Sequence, residues 1–143
     1  MKKIMVLLIV ALFTLPFLLC VTKAQAATDW RQYFQSKVAT FWYDANSVQR
    51  SGNVVKVTVF IKFTPAVARI LPEIDIASYV MFAEINCRTK TFFQKRIIQY
   101  RTDGSVYDDF SSEDNDPYSP TYEPYDIKPG HEEDALYRIL CRF

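Results

Sequence analysis

The sequence predicts an α+β domain: a single antiparallel sheet of about six strands, with a C-terminal helix packed on one face and tethered to it by a disulfide. Three observations predict it. Residues 54–63 and 78–87 alternate between a consistently apolar face and a mixed one, the period of a strand. Short turn signals separate the strand-like runs, so that consecutive strands reverse direction. One amphipathic segment follows them and ends in Cys141, whose partner candidate, Cys87, closes the second alternating run.

The first 26 residues stand apart from this domain. Lys2 and Lys3 precede an apolar run from Ile4 to Val21, and Ala24-Gln25-Ala26 supplies small residues in the A-x-A pattern. That order is a secretory signal peptide, with cleavage after Ala26 and residues 27–143 as the exported domain. The run is long enough for an uncleaved anchor, but Pro16 and the A-x-A site favour cleavage. Bulky Leu19 before Cys20 argues against lipid attachment there. The expected destination is the periplasm or the outer cell surface.

Charge bounds the partners. The chain holds 17 Lys+Arg and 16 Asp+Glu; removing Lys2, Lys3 and Lys23 leaves 14 against 16, a balance of −2 that speaks against nucleic acid. Only three glycines are present, too few for a glycine-rich phosphate loop.

Six strands are expected in chain order. Residues 29–34 are aromatic with imperfect alternation. Residues 40–44, Thr-Phe-Trp-Tyr-Asp, suit a pleated surface. After turn residues at 45–48 and 51–53, Val55, Val57, Val59, Ile61 and Phe63 fall on one face of the third strand, and Lys56, Thr58 and Lys62 share the other with Val54 and Phe60. Pro65 and Pro72 bracket a segment, Ala66 to Leu71, that fits a helical turn and cannot continue either strand through the prolines. The fourth strand, 78–87, turns Tyr79, Met81, Ala83, Ile85 and Cys87 to one side. Arg88-Thr89-Lys90 reverses the chain into 91–100, and Asp103-Gly104 into 105–110.

Residues 111–129 are polar, with four prolines among Tyr118, Tyr122 and Tyr125. They predict an extended surface loop, and a loop of that length is functional or partly disordered. Residues 131–141 then predict a helix with Leu136, Ile139 and Leu140 as its stripe, acids in its first turn, and Arg138 and Arg142 in its last. So short a helix must dock to persist. Two cysteines in an oxidising compartment read as a bridge. Closing the 54-residue interval from Cys87 to Cys141 is worth about 4 kcal/mol in chain entropy.

Several segments together resemble the surface-adhesin protein E family of bacterial secreted proteins. Thr40-Phe41-Trp42-Tyr43-Asp44-Ala45-Asn46-Ser47-Val48 resembles its aromatic-aromatic-x-Asp-x-x-Ser segment, and Ile85-Asn86-Cys87 its cysteine strand end. Tyr107-Asp108-Asp109-Phe110 is similar to its Tyr-Asp-x-Phe strand, and Pro129 through Leu136-Tyr137 to Cys141 to its last helix. The resemblance implies a six-stranded sheet with the helix tethered to its concave side, a homodimer among its assembly states, and adhesion to host extracellular-matrix proteins through a basic, tyrosine-containing segment before the cysteine strand. Here that segment, 66–80, offers Arg69 and Tyr79 among apolar and acidic residues.

Catalytic and metal chemistry find little to use. His131 is the sole histidine, so no nucleophile–histidine triad assembles, and a metal or haem site normally needs further His or Cys ligands; no cofactor is expected. Asp108, Asp109, Glu113, Asp114 and Asp116 cluster but lack the EF-hand glycine, and read as a solvated loop. Arg88, Lys90, Lys95, Arg96 and Arg101 load one hairpin, although strict alternation puts Lys95 and Arg96 on opposite faces. Tyrosines suit interfaces, which makes Tyr118, Tyr122 and Tyr125, with Arg69 and Tyr79, the candidate contacts. The expected function is a non-enzymatic module that uses its open sheet surface and the 111–129 loop to bind another protein. The alternative is a periplasmic carrier or sensor of a small apolar ligand such as haem, held between helix and sheet.

Overall fold

The computed structural model describes residues 27–65, 67, 75–112 and 123–142. Eight strands form one sheet: β1 (Trp30–Gln35), β2 (Ala39–Asp44), β3 (Gln49–Ser51), β4 (Val54–Phe63), β5 (Ser78–Asn86), β6 (Thr91–Tyr100), β7 (Val106–Ser111) and β8 (Tyr125–Asp126). A helix, α1 (Glu132–Leu140), follows. The continuous path is β1-β2-β4-β5-β6-β7, antiparallel throughout. These are the six expected strands. The two additional ones lengthen its flanks: β3 runs along β4 beyond the end of β2, and β8 along β6 beyond β7.

Local chemistry explains the break between β2 and β3. The Asp44 carboxylate accepts the N–H groups of Asp29 (2.8 Å) and Asn46 (3.0 Å), which turns the chain into a 3-10 segment at Ala45–Ser47. Ser47 donates its hydroxyl to the Asp44 carbonyl and accepts the Thr58 N–H, each at 2.8 Å. A serine side chain thus fills the gap in the β4 ladder where the neighbouring strand has left it. Further on, the Asn86 side-chain oxygen accepts from the N–H groups of Arg88 and Thr89 and tightens the reversal into β6. Gly104, at φ 84°, supplies the positive φ that the β6–β7 turn demands.

Two β-bulges re-aim side chains. At Tyr33 the pairing of β1 with β2 skips a residue, and Tyr33 and Phe34 both turn inward onto Phe41 (6.1 and 5.6 Å). At Lys95 the pairing of β6 with β5 does the same: Ala83 faces Gln94 while Phe82 faces Arg96. An inserted residue inverts the alternation beyond it.

The inner face carries the core. Val55, Val59, Ile85, Phe92 and Leu136 are fully buried, and α1 lies across them with its end fastened by the Cys87–Cys141 disulfide (Cα–Cα 5.5 Å). The Arg50 guanidinium donates to the Leu140 carbonyl, satisfying an acceptor that the helix end leaves open. Leu136 and Leu140 are buried as expected, but Ile139 is 43% exposed. The docked stripe is rotated toward Tyr137 and Cys141 instead, because the bridge and the contact of Tyr137 with Cys87 set the roll of the helix.

The expected surface loop needs correction at its later end. Tyr125–Asp126 is a strand paired with Phe92 and Thr91, and Ile127 packs against the core. Residues 113–122 of that segment, the expected turn at 66–71 apart from Val67, and the expected signal at 1–26 lie outside the described residues.

Candidate functional site

The sheet presents two different surfaces. On the inner side, the start of α1 and the sheet bound a cleft of ≈370 Å³ floored by Phe41, Ile61, Met81 and Ile97. The Tyr33 bulge forms one wall, and Phe63 and Tyr79, in edge-to-face contact at 4.9 Å, form another. Among the described residues, Glu132 and Glu133 are the only charged ones lining it. Burial, and then the charges of Glu132 and Glu133, push the Tyr33 phenol well above its ordinary value. Tyr125 lies nearby, stacked on Phe92 at 5.7 Å; it donates to Glu133 (3.1 Å) and accepts from Gln94 (2.9 Å). Burial, followed by Glu133, raises its phenol too.

On the outer side, one register row crosses the sheet through Trp42, Phe60, Val80 and Ile98. Trp30 and Trp42 lean on Phe60 with ring centroids at 5.7 and 5.6 Å. Phe82, one row away, is 38% exposed. Cations flank this strip. A shallow depression on one side is edged by Lys56, Glu84 and Lys95, and another, on the opposite side, by Lys62 and Arg101. Lys56 pairs with Glu84 at 3.4 Å and Arg96 with Asp109 at 2.6 Å. The expected separation of Lys95 from Arg96 does not hold. The bulge brings both outward, Lys95 over Phe93 (4.7 Å) and Arg96 over Phe82 (5.8 Å).

The candidate contacts that the structure describes both lie on the inner side. Tyr79 lines the inner cleft and Tyr125 sits beside it, while Arg69, Tyr118 and Tyr122 lie outside the described residues. His131 is exposed at the helix start; its ring and the Glu132 and Glu133 carboxylates bring ligand atoms within 4.8 Å of one another. The three are consecutive, and Glu133 is already engaged by Tyr125. The sequence points to the open sheet surface without singling out this strip on it. The strip's signal was present in Phe60, Val80, Phe82 and Ile98, apolar residues on faces that the inner core does not need.

Haem finds no support in the cleft. No histidine lines it, and its two carboxylates would repel the propionates. Among the described residues, no helix is long and apolar enough to cross a membrane.

Comparison with known families gives one match: the surface-adhesin protein E family, over residues 30–142. No curated protein and no solved structure matches the chain.

Proposed function

The chain belongs to the surface-adhesin protein E family, and from that premise we propose that it is an exported, non-enzymatic module that grips another protein through the outer face of its sheet. The observation that carries this reading is the row Trp42-Phe60-Val80-Ile98, an apolar strip with aromatic weight that no described element covers. Apolar patches rimmed by charge mark interaction surfaces, and aromatic residues dominate the energy of such contacts. Lys62 and Lys95 have no carboxylate partner among the described residues, so the face favours an acidic partner surface.

The partner belongs to the extracellular matrix of a host, and Arg69, Tyr118 and Tyr122 add contacts to it. Export follows cleavage after Ala26, so intact mass should give an N-terminus at Ala27; a retained signal or a lipid on Cys20 would refute that step. A second copy packed through the same strip would give a homodimer that light scattering detects.

The test is binding to an immobilised extracellular-matrix preparation. The wild-type protein should bind, with Phe82→Glu and the pair Lys62→Glu/Lys95→Glu each weakening binding, the latter together with its salt dependence. Absence of wild-type binding would overturn the adhesin reading. Binding that ignores both variants would move the contact off this face.

A further inference from the structure

The inner cleft is a separate site with chemistry opposite to that of the outer face. Its floor is hydrocarbon, its volume of ≈370 Å³ lies at the small end of ligand pockets, which span about 300–1,000 Å³, and among the described residues that line it the charges are all negative. Glu132 and Glu133 stand in the first turn of α1, at the cleft mouth. Two carboxylates outweigh the roughly half positive charge of a helix start. Across from them, Tyr33 and Tyr79 make no hydrogen bond with any described residue through their hydroxyls.

Each class of occupant meets this arrangement differently. An anion is repelled by both carboxylates. A neutral hydrocarbon would dehydrate them with nothing in return, which is costly. A hydrocarbon chain ending in a cation satisfies every part: its chain covers Phe41, Ile61 and Met81, and its charge sits between the carboxylates and the neighbouring aromatic rings. We propose that this cleft binds a small amphipathic monocation, a free molecule with an apolar chain ending in a primary ammonium.

The probe is octylammonium below its micellar concentration, set against octanoate and octanol, with the Tyr33 and Tyr79 ring signals followed by NMR. Octylammonium should shift those signals saturably, octanol weakly and octanoate not at all. Glu132→Gln/Glu133→Gln, which keeps an acceptor for Tyr125, should weaken octylammonium by about tenfold, the scale of a half-exposed charge pair. Val38→Trp, at an exposed rim position, should block it while circular dichroism stays unchanged. The proposal is overturned by equal binding of all three probes, by no shift at millimolar octylammonium, or by indifference to the double substitution. Displacement of octylammonium by a short apolar peptide bearing one lysine, at equal affinity, would hand the cleft to a partner's side chain and overturn the small-molecule assignment. The matrix-binding result on the outer face bears on neither outcome.

Discussion

The hydroxyl of Tyr137 donates to the carbonyl of Cys87 at 3.2 Å, four residues before the helix delivers Cys141 to the Cys87 sulfur. Helix and strand are therefore joined twice over a short span, once by a hydrogen bond and once covalently. The first attachment orients the helix and the second limits how far the unfolded chain can expand.

Cys141→Ser should consequently lower the unfolding free energy by about 4 kcal/mol, the chain-entropy value for a loop of this length. Urea unfolding followed by circular dichroism measures it. Wild-type protein treated with reductant should move to the same midpoint, and an unchanged midpoint in both would show that the bridge contributes nothing.

The roll of α1 makes neighbouring residues unequal. Leu136 has 0% exposure, so Leu136→Ala should cost about 2–5 kcal/mol. Ile139→Ala, on the exposed side, should stay within roughly 0.5 kcal/mol of wild type. Urea midpoints of the pair test the orientation, and similar losses would mean a different docked face.

Tyr33 should make the protein sensitive to alkali. Burial, then Glu132 and Glu133, raise its folded-state pKa above the ordinary 10.0. A raised value gives stability that is complete below pH 10.0 and declines above it, because the unfolded chain ionises first. Tyr33→Phe should flatten that alkaline decline in a stability–pH series, with Tyr125 responsible for part of what remains.

Asp134 should act in the opposite pH range. The Gly130 N–H, first, and the Arg138 guanidinium hold its carboxyl below the ordinary 3.8. A depressed value gives stability present above 3.8 and lost as pH falls through the folded-state value. Asp134→Asn should lower the thermal midpoint at neutral pH, and the difference from wild type should close in acid.

The long strands and the helix were legible because each obeys one period over enough residues to show it. Val55 to Phe63 and Tyr79 to Cys87 place every second side chain in a buried layer, so composition and geometry coincide. Gln49–Ser51 and Tyr125–Asp126 were not legible. They are three and two residues long, and they are strands only because β4 and β6 extend past their other neighbours. The bulges left no mark either: nothing in the composition around Tyr33 or Lys95 announces a skipped residue, yet the first aims a phenol into the cleft and the second gathers cations on one face. Binding surfaces made by such shifts belong to the pairing of strands, and local sequence records only half of each pair.

The contact between α1 and β1 joins the earliest described strand to the latest helix. During synthesis, which runs from the amino end, β1 and β2 emerge with the inner faces of Phe34 and Phe41 bare, and the cover for the sheet is among the last segments made. Until then the nascent chain displays the apolar layers of both sheet faces at once. Expression yield should therefore depend on what shields those strands during the interval, a demand that the finished fold no longer makes.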